Sequence, residues 1–192
     1  MPDPCYSLRV AKRHFEVVVA VWVVGLSACT AEGMADPAIP GEPFIVFAAD
    51  FEGFTSWPSV EVEPFTMDGG HRLGPTRVYL GGALPREDEA FEVGTVVVKT
   101  VEDGAAEGWE VHAMVKRGGG YNAEGARDWE WFDLEFTPSG ALAIAWRGEG
   151  DAANPGGYVT TTGERIACND CHVFAGARDH VFSLPELRAL LP

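Results

Sequence analysis

The pattern that most constrains this chain lies between residues 94 and 146, where four extended runs are separated by turn chemistry. "GTVVVKTV" (94–101) is rich in β-branched residues and stops at Glu102-Asp103-Gly104. "WEVHAMVKR" (109–117) alternates, with Val111, Ala113 and Val115 on one face, and stops at three glycines, 118–120. "DWEWFDLEF" (128–136) is aromatic and stops at Thr137-Pro138-Ser139-Gly140. "ALAIAW" (141–146) follows after a hairpin-length loop. β-branched and aromatic side chains suit a pleated, half-buried surface, and connections this short join antiparallel neighbours. An antiparallel meander is therefore expected, with "TRVYLGG" (76–82) as a fifth strand.

Helical signals are fewer. "PREDEAFEVG" (85–94) predicts one short helix, and the segment 168–174 predicts another. In "FSLPELRALLP", Ser183 is the expected N-cap, with Pro185 in the first turn. The expected fold class is α+β: a predominantly antiparallel sheet of about five strands with a few short helices. A chain of 192 residues is long enough for one such domain with a real core.

The ends of the chain read differently. Arg9, Lys12, Arg13 and His14 precede an apolar run, 17–26, that is too short to span a bilayer as a helix. Its size and basic flank match a signal-peptide core. The run closes in Leu26-Ser27-Ala28-Cys29, a small-residue cleavage site before a cysteine. Residues 1–28 are expected to be a signal peptide, with Cys29 the lipidated first residue of a bacterial envelope lipoprotein. An ordinary signal peptide followed by a chance cysteine is the competing reading. Residues 29–43, rich in Ala, Gly and Pro, read as a tether, and the folded domain is expected over 44–192. The expected location is the bacterial periplasm or cell envelope, with membrane attachment through the lipid only.

Charge narrows the partners. Residues 1–28 hold three of the 14 Lys and Arg but only two of the 29 Asp and Glu, so the remainder is strongly acidic. Such a surface is unsuited to nucleic acid or to anionic lipid.

Beyond Cys29 the cysteines are Cys168 and Cys171, in "RIACNDCHVF". A disulfide across two intervening residues closes a tiny loop and adds little stability. Cys168, Cys171 and His172 spell C-x-x-C-H, which supplies two thiols for the two vinyl groups of one porphyrin edge and an imidazole for the iron. One covalent haem c per chain is the expected cofactor, with His172 the metal ligand. A zinc site commonly uses a second pair of ligands, and a thioredoxin-like pair sits in a βαβ unit; neither context is visible here. By residue type, Met67, Met114, His71, His112 and His180 are the candidates for the sixth iron position. A methionine or histidine there makes an electron carrier, and an open position allows gas binding or catalysis. Core packing is the competing role for Met114.

In order, "GTVVVKT", "HAMVKR", "RDWEWFDLEF" and "CNDCH…RDHVF" resemble the cytochrome P-460 family, which includes the cytochromes c-prime beta. "FTSWPSV" and "GGHRLGPTRVYLGG" resemble the family's opening segment, so the resemblance spans roughly residues 50–182. It implies a β-rich haem domain, often a homodimer, with the haem site near the C-terminus and one open iron face. Enzyme-like members carry a lysine joined covalently to the porphyrin rim and oxidise hydroxylamine, with nitric oxide chemistry. Members similar to cytochrome c-prime beta lack the crosslink and bind nitric oxide in an apolar aromatic pocket. Lys99 stands where the crosslinking lysine is expected, sharing a strand face with Val97 and Val101. An exposed or edge-strand lysine is the competing reading, and Lys116, read as an exposed strand end, is the fallback. Glu164 resembles the distal carboxylate of enzyme-like members, and a solvated loop glutamate is its alternative. Arg77 is a candidate distal cation. Phe51, Phe54 and Phe91 are candidates for an aromatic gas pocket or for ordinary core. The functions in contention are thus an oxidoreductase of hydroxylamine or nitric oxide, a nitric oxide-binding protein without turnover, a six-coordinate electron-transfer cytochrome, and a haem-free acidic lipoprotein.

Overall fold

A computed structural model of the chain describes residues 43–63, 74–151, 158–159 and 165–189. The expected signal segment, Cys29, Met67, His71 and Glu164 lie outside them.

The expected α+β architecture is present. Six strands, β1 (Ser59–Val62), β2 (Thr76–Gly81), β3 (Val96–Val101), β4 (Glu110–Lys116), β5 (Trp129–Phe136) and β6 (Leu142–Gly148), form one antiparallel sheet in chain order. A ribbon of β7 (Tyr158–Val159) and β8 (Arg165–Ile166) leads into α1 (Cys168–His172), a 3-10 segment (Val173–Arg178) and α2 (Leu184–Arg188). None of the described helices is long and apolar enough to cross a membrane. The main sheet has one strand more than expected, β1, which pairs with β2. The expected helix over 85–94 is absent: the segment is a loop with two separate turns, the second at Gly94 with φ +93°. A run of exposed acidic residues followed by Gly94 offers no apolar helical face to bury, so packing does not repay helix nucleation. α2 starts after Ser183 with Pro185 in its first turn, as expected, although the Ser183 side chain makes no capping hydrogen bond.

Strand alternation separates two cores. On one face Tyr79, Val98, Ala113 and Phe132 stand in register, and Val46, Phe51 and Phe54 from the N-terminal segment cover them. On the other, Leu80, Val97, Met114 and Trp131 stand in register, and Val181, Leu184 and Leu187 pack against that face. The second face, closed over by the C-terminal segment, carries the candidate site.

Buried polar clusters among the described residues tie the layers. Glu130, 3% exposed at its side chain, accepts from Arg147 Nε at 2.7 Å, Arg147 Nη2 at 2.9 Å and Arg117 Nη1 at 3.0 Å. Asn122 and Asn169 exchange amide hydrogen bonds at 3.0 and 2.8 Å. Lys116 and Asp179 form an ion pair at 2.6 Å.

Candidate functional site

Lys99 stands in register with Val78 on β2 and His112 on β4, and His112 with Asp133 on β5. Directly paired residues of an antiparallel ladder share a face, so Lys99, His112 and Asp133 form a polar row across the apolar second face. Above this row lies a cavity of about 970 Å³, lined by all three and by Cys168, Cys171 and His172 of α1. Its size is at the upper end of the range for ligand and cofactor pockets.

α1 owes its position to Asn169, one of the two residues between the cysteines. The Asn169 Oδ1 accepts from Asn122 Nδ2 at 3.0 Å, from the Ala126 amide at 3.0 Å and from Trp131 Nε1 at 3.3 Å. Its backbone amide donates to the Gly150 carbonyl at 2.9 Å. Two glycines make room for this contact. A Cβ on Gly125 would run into the Asn169 amide, and Gly150, at φ +66°, lies so close that a Cβ would meet Cys168 Cβ at 2.8 Å. Residues three and four apart share a helix face, so Cys168, Cys171 and His172 project together.

Both cysteines are free thiols. Burial, aided by the Asp133 charge, pushes Cys168 up to about 12. Burial and the Asp170 charge also raise Cys171. A redox pair works through a lowered thiolate pKa, the opposite of this environment. Among the described residues no group of three or more His, Cys, Asp and Glu is arranged to hold a metal ion by itself.

His172 Nδ1 lies 2.7 Å from the His180 carbonyl. A carbonyl only accepts, so Nδ1 carries the proton, and in the neutral ring Nε2 holds the lone pair. The ring is flanked by Trp131, with centroids 4.4 Å apart, and by Phe182 at 5.1 Å.

The sheet side is different chemistry. His112 Nδ1 contacts Asp133 Oδ1 at 2.7 Å and Nε2 contacts Glu110 Oε1 at 3.0 Å. Burial alone lowers the His112 pKa, but the hydrogen bonds and charges of Asp133 and Glu110 together outweigh it and raise the pKa. Both ring nitrogens are engaged by carboxylates, so this arrangement is that of a proton-holding imidazolium rather than a metal ligand. Lys99 makes no hydrogen bond or ion pair with a described residue. Burial lowers its pKa from the ordinary 10.5 to about 7, against the raising effect of Glu110. Only the neutral amine is nucleophilic, and its fraction grows as pH rises through the pKa. In chain free of any covalent group, Lys99 is expected to react with a small amine-selective ester at a rate that rises through pH 7 and levels off by about pH 8, ahead of Lys116. Peptide mapping over a pH series checks this; a rate still climbing toward pH 10 would mean an ordinary lysine.

Several sequence expectations need correction. Lys116 is not an exposed strand end: it is 5% exposed and paired with Asp179, because it sits on the face closed by the C-terminal segment. Arg77 points to the face opposite Lys99, 3.5 Å from Glu102, and does not line the cavity, because residues one apart on a strand project oppositely. Phe51 and Phe54 belong to the first-face core, and Phe91 packs edge-on against Trp129 at 5.6 Å. None of the three lines the cavity, whose aromatic lining is Trp131, Phe132 and Phe182. Met114 is buried in the second core and also borders the cavity. His180 does not line it and donates from Nδ1 to the His172 carbonyl at 3.0 Å. Asp133, Asn169 and Asp179 carry no local sequence signal that marks all three as site residues. Asp133 alternates with Trp131 and Trp129 along one strand, a visible signal, but its pairing with His112 depends on a register that no local pattern specifies.

No protein-family model, curated protein or solved structure is significantly similar to this chain.

Proposed function

We propose that the chain is an exported c-type haem protein of the cytochrome P-460 type, which binds or oxidises small nitrogen species, hydroxylamine or nitric oxide, at an open haem iron. The observation that carries this reading is that Lys99 and His172, from the two sides of the chain's large cavity, line the same space as both thiols of the C-x-x-C-H motif. The donor set fits the group: two thiols and an imidazole on one helix face, an apolar wall of Val78, Val97, Met114 and Trp131, and room for a prosthetic group.

When bound, haem supplies a redox-active iron with a coordination position for a small nitrogen ligand. The remaining chemistry belongs to the chain. Cys168 and Cys171 would hold the porphyrin edge through thioethers. His172 offers Nε2 to the metal, its tautomer fixed by the His180 carbonyl. Lys99, whose burial favours the neutral amine, would be the group placed to join the porphyrin rim, an attachment that replaces a ring C–H and needs a two-electron oxidant such as peroxide. The His112–Asp133 pair keeps a proton and a carboxylate at the cavity wall for transfer to or from the ligand. Glu164 adds a second candidate carboxylate, and Cys29 a lipid anchor to the cell envelope.

Mass spectrometry of tryptic peptides from the native protein tests the reading. The enzyme form is expected to yield a haem joined both to the Cys168–Cys171 peptide and to the peptide containing Lys99. A free Lys99 peptide at full yield, with haem on the cysteines, leaves the nitric oxide-binding form without turnover. Haem absent from every peptide overturns the proposal. Because Met114 borders the cavity, a six-coordinate electron carrier is the second reading, and a low-spin six-coordinate spectrum of the reduced protein would select it.

A further inference from the structure

The aspartate of "RDHVF" and the lysine of "MVKR" are not used by the chemistry above, yet the fold brings them together behind His172. Asp179 Oδ1 accepts from Lys116 Nζ at 2.6 Å and lies 3.4 Å from Trp129 Nε1, while Oδ2 accepts from the Phe91 amide at 2.8 Å. The Lys116 and Asp179 side chains are only 7% and 14% exposed. Asp179 and the following His180 both adopt left-handed backbone, φ 48° and 66°. Two successive non-glycine residues in that region are unfavourable unless their surroundings hold them there. Held so, the turn presents the His180 carbonyl to His172 Nδ1 at 2.7 Å, and His180 Nδ1 closes a reciprocal bond to the His172 carbonyl at 3.0 Å.

We infer that the buried Lys116–Asp179 pair is a positioning device for His172, acting from β4 through the Asp179–His180 turn to set the orientation and donor strength of the imidazole. The inference rests on the haem reading for its purpose but not for its geometry. The partner of a ligating histidine's second nitrogen controls ring orientation and basicity. Here that partner is a backbone carbonyl; the His180 amide bond to the Ala175 carbonyl at 2.9 Å holds the turn locally, and the Asp179 anchor ties it to the sheet. Neither Lys116 nor Asp179 touches the cofactor space.

The test is the double variant Lys116→Met/Asp179→Asn, which removes both charges together and strands no buried ion. In the haem-loaded full chain, the iron–histidine stretching band of the ferrous five-coordinate form is expected to shift to lower frequency and broaden, with Lys116→Arg retaining the wild-type band. An unchanged band in a folded double variant overturns the inference and leaves the haem reading standing. Should the double variant not fold, Asp179→Glu, which keeps the charge and displaces the carboxylate, carries the same expectation. If the wild-type chain proves to hold no haem, the haem reading fails. Nitrogen-detected NMR of the histidines then decides the inference: a single Nδ1–H tautomer for His172 in wild type and a mixture in the variant supports it, and the same single tautomer in both overturns it.

Discussion

Replacing Cys168 and Cys171 together with alanine is expected to remove all covalently held haem. The wild-type chain should keep its pigment through acid extraction and denaturing electrophoresis, while the double variant loses it completely; each single variant should keep a fraction through one thioether. The argument is geometric. The two thiols lie one helical turn apart on α1, which is fixed from below by Asn169 and by the close approach of Gly150. The substitution touches neither anchor, so α1 and its cavity should persist. That separates loss of attachment from loss of fold: far-ultraviolet circular dichroism should stay close to wild type while the covalent pigment goes to zero and the urea midpoint falls with the lost haem contacts. Pigment still covalently bound in the double variant would overturn thioether attachment at this motif.

Trp129→Ala is expected to cost about 3–5 kcal/mol of stability, the usual penalty for truncating a fully buried aromatic. Trp129 is 0% exposed. It meets Phe91 edge-on at 5.6 Å, and Lys116 Nζ lies 5.1 Å from its ring centroid. Its indole nitrogen lies 3.4 Å from Asp179. Truncation therefore leaves a cavity and also loosens the surroundings of a buried ion pair, two mechanisms that each produce large losses. Urea unfolding monitored by circular dichroism reads the change as a lowered midpoint. Phe174→Ala, at a residue 83% exposed, is the matched control and should move stability by less than about 0.5 kcal/mol. A loss at Trp129 no larger than at Phe174 would mean that the second core does not close as described.

The strands were legible because their signals are local. Val111, Ala113 and Val115 alternate along β4 and lie together in the first core, and turn residues mark the ends of β3 to β5. The C-terminal helix was legible from Ser183 and Pro185. Lys99 could be assigned to the Val97 face by counting in twos, but whether that face met solvent or the C-terminal segment could not be counted. Lys116 was misjudged for the same reason. Beside Arg117 and three glycines it has the local signature of an exposed strand end, and its partner Asp179 lies 63 residues away. Arg77 was misjudged through its spacing: its motif was matched, but its parity along β2 sends it to the Thr100 side of the sheet.

The amino-acid sequence by itself determined the α+β class, the order of the β3 to β6 runs, and the C-x-x-C-H group of Cys168, Cys171 and His172. Periodicity, turn chemistry and motif spacing act over a few residues and survive without knowledge of the fold. Only the tertiary structure decided that Lys99, His112 and Asp133 form one row, that this row faces the thiols and His172 across a single cavity, and that Lys116 and Asp179 meet behind it. Those relations depend on strand register and on which segment covers which face. Both arise from burial summed over distant parts of the chain, which no short stretch of residues encodes.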